Sequence, residues 1–102
     1  MANFLLIHGA CHGAGCWERV TPLLEAAGHS VVAPDLPGHV ADTTRVSELS
    51  LKRYGEFVSE LAASNGPVVL VGHSMAGAVI SRAAEAVPDQ IERLVYLTAY
   101  LP

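Results

Sequence analysis

Residues Pro67–Gly77 read PVVLVGHSMAG. Pro67 to Val71 is a short, unbroken apolar run rich in valine, closed by Gly72. Such a run predicts a strand buried on both faces, as in a parallel sheet. From Met75 the period changes. Ala76, Val79, Ile80, Ala83, Ala84 and Val87 recur at helical spacing, and Pro88 ends the run. Ser74 stands at the corner, with Gly72 two residues before it and Ala76 two residues after. A strand that turns directly into a helix holds its corner residue in a strained backbone conformation, and side chains two positions away collide unless they are small. This is the pattern of a nucleophile elbow, which lifts a serine hydroxyl above the carboxyl edge of a sheet. The usual fifth residue is glycine. Here it is Ala76, with Gly77 following, which keeps the requirement for a small residue. The plainer reading is an ordinary turn in which Ser74 caps the helix; the strand before and the helix after favour the elbow.

The chain has 102 residues, the length of one small domain with a core of its own. Hydrophobic residues make up 51% and charged residues only 16%, against a usual charged share of about 25%, so much of the chain is expected to be covered. The net charge is −4 and the six Lys and Arg are scattered, which argues against nucleic acid or an anionic membrane as partner. No apolar run approaches the ~20 residues of a membrane-spanning helix. The start, MANFLLIHGA, lacks a basic n-region and its apolar run breaks at His8-Gly9, so the expected location is cytoplasmic. In that compartment Cys11 and Cys16 are expected as free thiols rather than a disulfide.

Taken in order, Asn3–Ile7 reads as a buried strand, followed by the glycine-rich loop HGACHGAGCW of residues 8–17. Val20, Leu23, Leu24 and Ala27 predict a helix over residues 17–27. Pro22 is a difficulty for one uninterrupted helix; read as a first-turn residue it makes Thr21 the candidate cap, and Gly28 ends the helix. Ser30–Ala33 reads as a strand and residues 34–39 as a loop. Residues 40–49 are polar and without period. Ser50 can cap a helix running to about Ser64, with Leu51, Tyr54, Phe57, Val58 and Leu61 as its apolar stripe, and Asn65-Gly66 stop it. After the elbow helix, Ile91–Thr98 reads as a last strand. The alternation β-α-β-α-β-α-β specifies a single α/β domain over residues 1–102, a parallel sheet with helices on both faces.

In an open parallel sheet, ligand sites lie beyond the carboxyl ends of the strands. The loops there begin at His8, Asp35, Gly72 and about Thr98, so Ser74 and the HGACHG loop meet at one edge. Acyl transfer needs donors aimed at a developing oxyanion. The N–H of Met75 is one candidate. An N–H of the loop over residues 8–13, that of Ala10, is the other, and Gly9 lets the backbone come close. The alternative is a flexible connecting loop. His8, His12 and the two cysteines suggest a metal site only on a helix, and the segment is too rich in glycine for one, so neither metal nor cofactor is expected. His73 reads as a packing residue beside Ser74 rather than a catalytic base. Asp35 is at the right edge but sits where aspartate commonly shapes a turn. Asp89 falls at the opposite edge.

These pieces resemble the α/β-hydrolase superfamily along the whole chain: the His8-Gly9 loop after the first strand, Asp35-Leu-Pro-Gly-His39, and Gly72-His-Ser-Met-Ala-Gly77. Within it, HGACHGAGCW together with PLLEAAGHSVVAPDL is similar to the group of plant methyl-salicylate-type esterases and hydroxynitrile lyases. The lyases carry Thr where this chain has Gly9, and Glu-Ser-Cys where it has His73-Ser74-Met75; both positions look like the esterase side. The PGH of residues 37–39 departs from the plant enzymes and looks like bacterial members.

The resemblance implies a serine esterase acting on a small-molecule ester. Ser74 would be the nucleophile, the N–H groups of Ala10 and Met75 the oxyanion hole, and His8, Gly9, Gly72, His73 and Gly77 the supporting loops. The family's triad runs in the order serine, acid, histidine, the last two after later strands. The chain stops before them, so it reads either as the N-terminal piece of a larger hydrolase or as a truncated relative, and it is expected to be inactive alone. The rivals are a lyase on the same scaffold and a non-catalytic, self-associating domain. Ile91–Thr98 is apolar on both faces, as an inner strand requires, and as an edge it would template a second copy. A homodimer or larger assembly through residues 91–102 is therefore expected.

Overall fold

The computed structural model describes residues 2–9, 14–36 and 51–97. Four strands, β1 (Asn3–Ile7), β2 (Ser30–Val32), β3 (Val68–His73) and β4 (Ile91–Leu97), form one sheet in the order β2-β1-β3-β4. Every neighbouring pair is parallel. The α/β architecture read from the alternation is therefore observed, and the valine-rich run of the elbow segment lies inside the sheet. Residues Val68 to Gly72 of β3 are buried.

Alternate side chains of β1 and β3 feed two cores. Leu5, Ile7, Val68 and Leu70 face helices α2 (Leu51–Asn65) and α3 (Ala76–Ala86), where they meet Val58, Ala62, Ala76, Val79, Ile80 and Ala83. Leu6, Val69 and Val71 point the other way, toward Trp17 and Leu24. Each fully buried leucine or isoleucine contributes about 1.5–3 kcal/mol by leaving water. The buried line of α2 is Gly55, Val58 and Ala62, flanked by half-buried Tyr54, Phe57 and Leu61; Leu51, the first residue of the expected stripe, is exposed. Gly55 is small for a reason, since a Cβ there would stand 3.0 Å from Cδ of Arg82 on α3.

The first helix differs from expectation. A 3-10 turn over Ala14–Trp17 is separated from α1 (Thr21–Ala26), and the cap is Val20 without a side-chain hydrogen bond, not Thr21. Pro22 contributes to the break: it has no N–H to bond back into the preceding turn, so the helix restarts with proline in its first turn. None of the residues of α1 is buried, and Leu23 is 72% exposed. Trp17, at the end of the 3-10 turn, supplies the buried anchor instead. The helix ends as read. Gly28 sits at φ 94, its N–H bonds to the Glu25 carbonyl, and the His29 N–H bonds to the Leu24 carbonyl. These two bonds are a Schellman closure, which needs a left-handed residue at Gly28.

Ser50 and Thr98 lie outside the described residues. The strand expected over Ser30–Ala33 stops at Val32. On β4, Leu94, Val95 and Leu97 are exposed. Its apolar sequence is that of an inner strand, and here it is the edge.

Candidate active site

The corner between β3 and α3 is built as the sequence requires. Ser74 has φ 58, the one non-glycine residue with positive φ among those described. An L residue at that φ is strained, and such strain persists only where the surroundings impose it. Here β3 ends in register with its neighbours up to His73 and α3 begins at Ala76, leaving no slack between them. A Cβ on Gly72 would come within 2.9 Å of the Ala76 carbonyl oxygen and 2.9 Å of Ile80 Cδ1, so the glycine is obligatory. Ala76 and Gly77 are both buried against the core, which explains why small residues follow the corner. Ser74 does not cap the helix. The cap is Met75, without a side-chain hydrogen bond, and Ser74 is exposed at the sheet edge.

The Met75 N–H stands at the cap of α3, where backbone N–H groups have no intrahelical partner and the helix dipole favours negative charge. That is the setting expected of an oxyanion donor. The second expected donor, Ala10, lies outside the described residues, as do Cys11, His12 and His39.

Register brings the glycine loop to the serine. Ile7 of β1 pairs with Gly72 of β3, so two residues further on Gly9 stands beside Ser74. A Cβ on Gly9 would be 2.9 Å from Ser74 Cβ and 3.0 Å from the His73 carbonyl oxygen. Gly9 is thus required for the close approach of the loop to the elbow itself, a tighter reason than room for a substrate carbonyl.

His8 is fully buried. The Leu36 N–H donates to His8 Nε2 at 2.9 Å, and His8 Nδ1 lies 2.8 Å from the Gly9 carbonyl oxygen. Its ring joins the loops after β1 and β2. His73 meets Trp17 edge-on, with centroids 6.4 Å apart and planes at 82°. His29 accepts the Ala2 N–H at the amino end of the sheet, far from the elbow in register. Asp35 directly precedes Leu36 in the loop after β2.

Two contributors escaped the sequence reading. Trp17 reads from sequence only as the start of the expected helix, although an aromatic residue closing a glycine-rich loop is a signal for a buried anchor. Leu36 gave no signal as a backbone partner of His8. Cys16 is at the surface, yet partial desolvation still pushes its thiol up from the ordinary value, with its own backbone pulling weakly the other way. It is protonated at neutral pH and no rival nucleophile. Among the described residues no three His, Cys, Asp or Glu side chains converge as metal ligands.

An alpha/beta hydrolase family model matches residues 4–102. The chain belongs to the alpha/beta hydrolase family. Among curated hydrolases of similar sequence, Methylesterase 2 of Arabidopsis thaliana is 46% identical over 105 residues, covering 98% of this chain and 40% of the relative. A pyrethroid hydrolase of Sphingobium wenxiniae is 43% identical, covering 99% of this chain and 37% of the relative. Among solved structures, polyneuridine aldehyde esterase superposes with a TM-score of 0.92 at 38% identity, covering 100% of this chain and 42% of that one. The chain spans about two fifths of the length of the curated relatives it matches. The hydrolase fold and the esterase side of the resemblance read from residues 8–17 and 72–77 both agree with these relatives.

Proposed function

We propose that the full-length protein is a carboxylic ester hydrolase with Ser74 as its nucleophile. The observation that carries this is the strained, exposed Ser74 at a strand-to-helix corner, with Gly9 packed against it. Ser74 Oγ would attack the ester carbonyl, the Met75 and Ala10 N–H groups would hold the oxyanion, the alcohol would leave, and water would release the acid. The base and its orienting acid are assigned to residues beyond those described, since the family's triad places both after later strands. The names of the methylesterase relatives support a small methyl ester as substrate class.

The test is turnover of p-nitrophenyl acetate and of aryl and alkyl methyl esters by the full-length protein and its Ser74→Ala variant. Loss of about 10⁴-fold or more in kcat is expected, and unchanged turnover in the variant would overturn the reading. The 102-residue chain alone is expected to be nearly inactive, because an unassisted serine is a neutral alcohol and a weak nucleophile.

We further propose that this chain, on its own, associates through β4. Among the described residues no strand pairs with the outer edge of β4, and Leu94, Val95 and Leu97 are exposed there, which favours addition of a second copy. Beside it an open groove of about 570 Å³ lies between α3 and β4, lined by Leu51, Ala78, Ser81, Arg82, Leu94 and Tyr96 among others. No elbow residue lines this groove. It is a flank open to a further layer and not an acyl pocket.

A further inference from the structure

We propose that Ser81 and Tyr96 are positioning residues of the elbow: their hydroxyls, joined in series, hold the first turn of α3 so that the Met75 N–H keeps its direction. This rests on the esterase reading of Ser74. A serine that presents its hydroxyl to substrate cannot also spend it on capping the helix behind it. The cap of α3 is Met75, which makes no side-chain hydrogen bond. Two backbone bonds close the first turn, from the Gly77 N–H to the Ser74 carbonyl at 3.1 Å and from the Ala78 N–H to the Met75 carbonyl at 3.2 Å. Both span three residues, a geometry weaker than the α-helical one. The turn that carries the oxyanion donor therefore needs support from elsewhere.

That support comes from one turn further on. Ser81 Oγ donates to the Gly77 carbonyl at 2.9 Å. Its single hydrogen is then in use, so the Tyr96 hydroxyl is the donor in the 2.5 Å bond between the two side chains. Hydrogen bonds in series strengthen one another. The far end of the series is anchored, because Tyr96 packs against the main core and pairs with Gly72 of the elbow strand. The near end grips a planar unit. The Gly77 carbonyl and the Ala78 N–H belong to one peptide group, and the latter holds the Met75 carbonyl. Fixing one end of that plane fixes the residue at its other end. A donor set before substrate arrives is where an oxyanion hole gains its effect. Ser81 and Tyr96 touch no substrate and act through Gly77. A serine bonded four residues back is not special in itself: Ser59 on α2 donates to the Gly55 carbonyl at 2.7 Å. Ser81 differs in having the tyrosine behind it and the elbow in front, and Ser59 is its natural control.

The test uses Ser81→Ala, Tyr96→Phe, their double variant and Ser59→Ala in the full-length protein. kcat is expressed per serine titrated with a fluorophosphonate, alongside KM and the urea midpoint. Ser81→Ala should lower kcat about fivefold or more with KM within about twofold of the parent. Tyr96→Phe should lower kcat about threefold or more. The double variant should match Ser81→Ala alone, because Tyr96 acts only through Ser81. Ser59→Ala should lower the midpoint and leave kcat at the parent value. Parent-like kcat in Ser81→Ala, equal losses in Ser81→Ala and Ser59→Ala, or losses that multiply in the double variant would overturn the proposal. Should Ser81→Ala fail to fold, Tyr96→Phe decides, and parent-like kcat there overturns the proposal. A parent in which Ser74 takes no label overturns the esterase reading, and this inference with it. Labelled Ser74 with kcat indifferent to Ser81→Ala strikes this inference alone.

Discussion

Strands β3 and β4 lie side by side and look alike in sequence, yet they live in different surroundings. Leu70 pairs with Leu94, Val71 with Val95 and Gly72 with Tyr96. Leu70 is fully buried and Leu94 is 37% exposed; Val71 is 8% exposed and Val95 is 40% exposed. The β3 residues have β1 on one side, β4 on the other and helices above and below. The β4 residues have β3 on one side and α3 over part of one face. An apolar run therefore records the burial a fold demands, and only the neighbours in hand decide how much of that burial is met. The proposals follow the same division: the elbow grows from the strand that is enclosed, and the proposed association surface from the strand that is not.

The harshest way to test the enclosure of β3 is Gly72→Val. The new side chain would meet the Ala76 carbonyl and Ile80 inside contact distance, and neither backbone nor a fully buried isoleucine has room to yield. Loss of about 4 kcal/mol or more is expected, seen as absence of a cooperative thermal transition. A normal melt would mean that the corner is looser than its contacts imply.

Next comes a matched pair, Leu70→Ala against Leu94→Ala. The buried member should cost about 2–5 kcal/mol, and its neighbour roughly 1 kcal/mol or less because much of its side chain is already wet. Urea unfolding of both, at a protein concentration where the chain is monomeric, reads the difference directly. Equal losses would show that β4 is covered in solution, and would sharpen the case for a second copy on that edge.

The last of the series perturbs stability least. Val95→Lys puts a charge in the middle of the exposed strand and should shift unfolding by about 0.5 kcal/mol or less. It should nevertheless release monomers from an associated parent, because a charge in the middle of an edge strand blocks strand addition. Sedimentation at tens of micromolar is the readout. A parent that is already monomeric, or a variant as associated as the parent, places the contact elsewhere or nowhere.

How far the sequence can be read follows from the same contrast. The enclosed parts were legible: β1, β3 and α3 have dense apolar periods, and Ser74 between small residues announced its own backbone conformation. Gly28 was legible because its left-handed turn has one natural occupant. The less enclosed parts were not. Leu23 has the spacing of a core residue yet is 72% exposed, while Leu24 beside it packs with Trp17. Pro22 signalled a start, but the separation of the 3-10 turn from α1 depends on Trp17 finding the pocket beneath the sheet. The role of His8 depends on a backbone N–H 28 residues away, which no local pattern encodes.

The central claim, that the strained corner serine is the nucleophile, is met most directly by mass spectrometry of the full-length protein after reaction with a fluorophosphonate ester. The account predicts one adduct per chain, located on Ser74, forming in step with the loss of ester turnover. Inhibition with the adduct on another residue, or turnover that persists with Ser74 fully modified, would contradict it.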